Sequence, residues 1–228
     1  VFASDRLPLA AAYAARLADD GVVRGLIGPR EVPRLWDRHV LNCGVLAEVI
    51  PAGATVCDIG SGAGLPGVVL AIARADVVVT LVEPLLRRTT FLQEVVDELR
   101  LENVLVRRGR AEEVHGQGRY DVVTSRAVAP MERLLAWSMP LVAPHGALLA
   151  MKGSSAAEEI EASRATWQTM GCAPPTVHTV GESVPESTAT VVRVAWADPA
   201  RISSDLANGS RKSGGGRRSR RTDRRPRT

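Results

Sequence analysis

Two periodicities divide the chain near residue 51. Before it, Leu7, Leu9, Tyr13 and Leu17, with alanines between them, recur at helical spacing and predict a first helix with Ser4 or Asp5 as cap, Pro8 in its first turn and Gly21 as stop. Gly28-Pro29 interrupts, and Leu35, Trp36, Val40, Leu41 and Val45 predict a second helical region from about Glu31 to Ile50, with Pro33 tolerated near its start. Beyond residue 51, short apolar runs at 56–59, 77–82, 104–106, 120–124 and 147–151 alternate with helical segments at 66–73, 85–99 and 131–139. That alternation predicts an α/β fold on a parallel sheet. A helix over 158–170 and two further runs at 177–180 and 190–194 predict an antiparallel pair closing the sheet.

Periodicity stops after Ala197, and residues 198–228 hold almost no large apolar side chain. They cannot offset the entropy of ordering, so a disordered tail is expected. The predicted organisation is therefore N-terminal helices at 1–50 packed on the core, a core at 51–197, and an arginine-rich tail at 198–228.

Composition changes this picture in two places. The chain is basic overall at +4, but residues 201–228 hold ten Lys/Arg against two Asp/Glu, which leaves residues 1–200 at −4. A body of that sign attracts no nucleic acid by net charge, so any such contact must use local arginine clusters or the tail. Arg87-Arg88 and Arg107-Arg108 follow successive strands, and Lys152 ends the fifth; each is either a solvated charge or part of an RNA-facing patch. The tail is either an RNA anchor or solubilising sequence. Cys43, Cys57 and Cys172 are odd in number and widely spaced, which suits reduced, structural thiols and no metal. With no signal sequence and no apolar run near the roughly 18 residues a membrane span requires, a cytoplasmic protein is expected.

The candidate chemistry lies at the first strand. Asp58-Ile59-Gly60-Ser61-Gly62-Ala63-Gly64 follows an apolar run and precedes a helix, where glycines allow positive φ and close approach to a ligand. Nineteen residues after Gly64, Glu83 ends the next strand, where a carboxylate can accept from both hydroxyls of a ribose. The alternative for Glu83 is a solvated strand-end charge. The same letters contain Gly62-x-Gly64-x-x-Gly67, a dinucleotide fingerprint, so a nicotinamide-dependent oxidoreductase stays open beside a methyltransferase, as does an RNA-binding module with an inactive loop.

Asp58-Ile59-Gly60-Ser61-Gly62-Ala63-Gly64-Leu65-Pro66-Gly67, with Arg110-Ala111-Glu112-Glu113, Ser125-Arg126-Ala127 and Lys152-Gly153, resembles the ribosomal RNA small subunit methyltransferase G family, also called glucose-inhibited division protein B. Gly25-Leu26-Ile27-Gly28-Pro29-Arg30-Glu31 and Leu35-Trp36-Asp37-Arg38-His39-Val40-Leu41-Asn42 resemble its actinobacterial branch; an Asn-Leu-Thr-Ser segment that many members carry before the sheet is absent. The resemblance implies a class I S-adenosylmethionine-dependent methyltransferase: a Rossmann-like, seven-stranded, mostly parallel sheet with helices on both faces. It implies transfer to N7 of a guanine in 16S rRNA, naked or within the small ribosomal subunit. By the same resemblance Asp58, Gly60, Gly62, Gly64 and Leu65 belong to the cofactor site, Glu83 faces the ribose, Ala111 and Glu112 lie beside the adenine, and Arg126 reaches cofactor or substrate. Guanine N7 carries a lone pair and no proton, so no general base is expected and none is assigned. His39, among Trp36, Val40 and Cys43, is expected to be a packed histidine without chemistry, and Trp137 and Trp167 to be core.

Overall fold

The computed structural model describes residues 1–184 and 187–204. Seven strands form one sheet: β1 (Thr55–Ile59), β2 (Val78–Glu83), β3 (Val104–Arg108), β4 (Tyr120–Arg126), β5 (Val142–Lys152), β6 (Thr176–Val180) and β7 (Ala189–Ala195). Their order is β3-β2-β1-β4-β5-β7-β6, parallel except for β7, which runs antiparallel to both neighbours. The predicted closing pair is thus present, and β7 inserts between β5 and β6.

Period two explains the layers. Val56, Leu149 and Val191 face one core, whereas Cys57, Leu148, Ala150 and Val192 face the other. The first core is covered by α1 (Leu7–Arg16), α3 (Gly67–Ala73) and α4 (Leu86–Leu99), the second by α5 (Met131–Ser138), α6 (Ala156–Ala162) and α7 (Arg164–Thr169). Ala10, Tyr13 and Leu17 are fully buried in the first core, so the N-terminal segment shares the sheet's own packing.

Four elements depart from expectation. Arg6, not Ser4 or Asp5, caps α1, without a side-chain bond, and a π turn (Leu17–Gly21) continues the helix up to Gly21. The second helical region is a chain of short pieces: a 3-10 segment (Pro29–Arg34), a π segment (Leu35–Leu41), α2 (Asn42–Gly44) and a 3-10 segment (Val45–Val49). Helix 158–170 divides at Ser163, whose hydroxyl bonds back to the Ile160 carbonyl and draws the chain out of helical register. β5 begins five residues before Ala147, because Gly146 lets its backbone lie against Tyr120 and Asp121 at a register shift.

Of the expected tail, residues 199–204 are helical, with Asp198 Oδ1 accepting from the Arg201 N–H and Ile202 resting on the second core. Local capping and one apolar contact suffice there. The rest of the expected tail, residues 205–228, lies outside the described residues. Among the described residues no helix is long and apolar enough to cross a membrane.

Candidate functional site

The strand order reverses between β1 and β4, and the crevice outside the carboxyl ends of strands at such a point is where open α/β sheets bind ligands. A cavity of about 790 Å³ opens there, within the range of small-molecule sites. Its wall includes Gly60, Ser61, Gly62, Ala63 and Leu65 from the glycine loop, Glu83 from β2, Ala111 and Glu112 after β3, and Arg126 from β4.

Glu83 is 1% exposed and does two things at once. Its Oε2 accepts the Gly62 N–H at 3.0 Å and its Oε1 accepts the Leu85 N–H at 3.0 Å, which fixes the loop to the head of α4; Arg88 stands 3.5 Å from Oε2. A carboxylate offers about four lone-pair sites. Gly62, Leu85 and Arg88 take three of these, and the remaining acceptor capacity is open to a ligand in the cavity that Glu83 lines.

Asp58 and Gly64 belong behind the loop. Neither lines the cavity. Asp58 is fully buried, and its Oδ2 accepts the Ser61 hydroxyl at 2.8 Å and the Gly67 N–H at 3.0 Å, so it shapes the loop from beneath. Burial pushes its carboxyl up to about 7, against the two hydrogen bonds, while its Oδ1 has no partner. Gly64 has φ +102, and a Cβ there would meet Val68 and lie 2.9 Å from the Tyr13 hydroxyl. That hydroxyl donates to the Ala63 carbonyl at 2.8 Å, and burial raises its pKa well above the ordinary value, keeping it a neutral donor. Helix α1 thus clamps the glycine loop, a connection across 50 residues that no local pattern announces.

The basic candidates are not brought together in one patch. Arg87 is exposed, Arg88 turns inward to Glu83, Arg107 bonds Gln117, and Arg108 reaches the Pro84 carbonyl at 3.4 Å. Adjacent residues of a strand point to opposite faces, which separates Arg107 from Arg108. Lys152 is paired, its amine lying 2.7 Å from Glu159 and 2.8 Å from the Ala129 carbonyl with its side chain 8% exposed, and it lines a second cavity beside the first.

Two residues expected to pack, Trp137 and His39, turn up at the cavity, and Glu31 joins them. Trp137 is half-buried and lines it, while Trp167 is core. Glu31 and His39 line it as well. His39 Nε2 lies 2.8 Å from Glu31 Oε2, and its Nδ1 lies 3.0 Å from a terminal nitrogen of Arg126. Residues Leu35–Leu41 form a π segment, so a 3.6-residue wheel rotates His39 to the wrong side. All three cysteines are buried thiols, Cys43 and Cys172 each pushed up to about 11 by burial.

The model of the family described as rRNA small subunit methyltransferase G matches residues 6–188. The chain belongs to this family. A member named Ribosomal RNA small subunit methyltransferase G from Nocardioides sp. is 63% identical over 218 residues, covering 96% of this chain and 87% of its own length. Its namesake from Streptomyces coelicolor is 57% identical over 191 residues, covering 83% and 80%. Among solved structures, the B. subtilis M1A22 tRNA methyltransferase TrmK superposes with a TM-score of 0.52 at 18% identity, over 69% of this chain and 66% of that one. The fold of this family member is the class I methyltransferase fold, with helices on both faces of a mostly parallel seven-stranded sheet. The dinucleotide alternative loses its footing here. An antiparallel strand, β7, interrupts the 3-2-1-4-5-6 order of a dinucleotide sheet.

Proposed function

We propose that the chain transfers a methyl group from S-adenosylmethionine to N7 of a guanine in 16S rRNA, as free RNA or in the small ribosomal subunit. The observation that carries this reading is the switch-point cavity framed by the glycine loop and Glu83, in a chain of the rRNA small subunit methyltransferase G family. The donor set fits the cofactor: Glu83 for the ribose hydroxyls, Gly60, Gly62 and Leu65 for the methionyl end, Ala111 and Glu112 for the adenine. When bound, the cofactor supplies an electrophilic methyl on a sulfonium.

A second cavity of about 880 Å³ adjoins the first and shares Arg38, Arg126, Ala127 and Val128 with it. It opens between the ends of β4 and β5 and the start of β7, through Met151, Gly153 and Thr190, and suits the acceptor base. Guanine N7 is already a nucleophile with no proton to lose, so the protein's task is to align donor and acceptor, a matter of proximity and orientation. Arg126 stands in the shared wall. Its guanidinium serves the reaction by holding guanine O6, a phosphate or the cofactor, because a donor placed on N7 would occupy the attacking lone pair.

The test is transfer of labelled methyl to small subunits, and to free 16S rRNA, from a strain lacking this modification, with the modified base mapped. Label at N7 of one guanine is expected. Label on cytosine or an exocyclic amine would overturn the guanine-N7 assignment, and RNA binding without transfer would favour an inactive binding module.

A further inference from the structure

We infer that Glu31 and His39 are positioning residues for Arg126: they hold its guanidinium in the wall between the two cavities only while the imidazole is neutral and protonated on Nε2. The inference deepens the methyltransferase reading and rests on it for its kinetic consequence.

The hydrogen bonds fix the tautomer from both ends. A guanidinium has five N–H donors and no acceptor, so the His39 Nδ1 that lies 3.0 Å from Arg126 must be the acceptor. The proton therefore sits on Nε2, where it donates to Glu31 Oε2 at 2.8 Å. Two more Arg126 N–H groups are placed by the same N-terminal region, one on the Arg38 carbonyl at 2.9 Å and one on Cys43 Sγ at 3.5 Å. This leaves the Nε–H and one terminal N–H for a ligand. On the other side Ala127, a non-glycine residue at φ 51, bends the chain immediately after β4 and sets where the arginine leaves the sheet.

Protonation breaks this arrangement. A proton on Nδ1 would face the guanidinium with a donor and a second positive charge. The charged groups that act on His39 are Glu31 from the 3-10 segment, Arg38 from the π segment and Arg126 from β4, with the Cys43 thiol of α2 bonded to the same Arg126 nitrogen. Burial lowers the imidazole pKa, the charges of Arg126 and Arg38 lower it further, and Glu31 opposes them without prevailing. The hold on Arg126 is therefore complete above the ordinary histidine value and is lost as pH falls through the depressed one.

Full-length wild type, His39→Leu, His39→Asn and Glu31→Gln are to be compared for methyl transfer to small subunits as a function of pH, with imidazole tautomers read by 15N NMR. His39→Leu is expected to lower kcat at least tenfold. In His39→Asn the amide oxygen takes the Arg126 bond without titrating, so it should recover most of the rate and flatten the acid limb of the profile. Glu31→Gln should move that limb to lower pH. Wild-type kcat in His39→Leu, an Asn variant as slow as the Leu variant, or a wild-type acid limb in His39→Asn would each overturn the inference. The NMR signature is independent of turnover: an Nε2–H tautomer at neutral pH supports the relay, whereas an Nδ1–H tautomer or an imidazolium refutes it. Absence of label from the wild type would instead refute the methyltransferase reading, so the two failures are separate results.

Discussion

At the scale of single residues, two buried carboxylates one strand apart have different work. Glu83 lines the cavity and holds the glycine loop, so Glu83→Ala removes both the acceptor proposed for the ribose and the anchor of the Gly62 N–H. Loss of S-adenosylmethionine affinity by roughly tenfold or more is expected, in keeping with hydrogen bonds to a charged group. Calorimetry giving an unchanged affinity would remove Glu83 from the site. Asp58 is buried behind the loop and does not line the cavity, so its expected signature is thermodynamic. Its carboxyl is raised from 3.8 to about 7, so between those values the folded protein holds a proton that the unfolded chain releases. Its contribution to stability is complete below the lower value and is lost as pH rises through the upper one. Asp58→Asn abolishes that term while an amide oxygen still accepts from Ser61 and Gly67. Melting temperatures of both proteins from pH 4 to pH 8 should show the variant gaining on the wild type as pH rises. A difference independent of pH would mean that Asp58 does not titrate in the fold.

At the scale of elements, the loop and α3 are joined by close packing at Gly67. A Cβ there would meet Leu81 Cδ2 and lie 2.7 Å from Asp58 Oδ2. Gly67→Ala should cost about 1–3 kcal/mol by overpacking, readable as a lower denaturant midpoint with an unchanged slope. The sheet itself was plain in the sequence, because its inner strands bury residues on two faces and so print short apolar runs: Val56 and Cys57 go to opposite cores, as do Leu149 and Ala150. The glycine loop and Glu83 were equally plain, since both are local signals at strand ends. The N-terminal contribution was not. Tyr13 meets Ala63, and His39 meets Arg126 across 87 residues, through tertiary contacts that leave no mark in local periodicity. The π segment adds a rotation that a regular helical wheel does not contain. The basic runs misled for a related reason: spacing shows where arginines occur, but Arg88 and Lys152 had already found carboxylates.

At the scale of the whole molecule, charge is divided along the chain. Residues 205–228 hold nine Lys/Arg and two Asp/Glu, while residues 1–200 are net acidic. Each phosphate neutralised steepens the dependence of log K on log salt by roughly 0.7–0.9. Filter binding to 16S rRNA with the full chain and with residues 1–204 should give a shallower slope for the shorter protein if the arginine run touches phosphate. Identical slopes would assign it no part in RNA binding and leave solubility as its contribution. The shorter form keeps the entire sheet, both cavities and the helical turn capped by Asp198.

The wall shared by the two cavities would have an effect once a methyl had crossed it. In the proposed reaction, alkylation at N7 would turn a neutral guanine into a cation beside the positive charge of Arg126, which lines both cavities. A contact that favours an electron-rich acceptor would become repulsive in the product. Turnover would then carry its own eviction signal, the guanidinium that admits the base also disfavouring its methylated form.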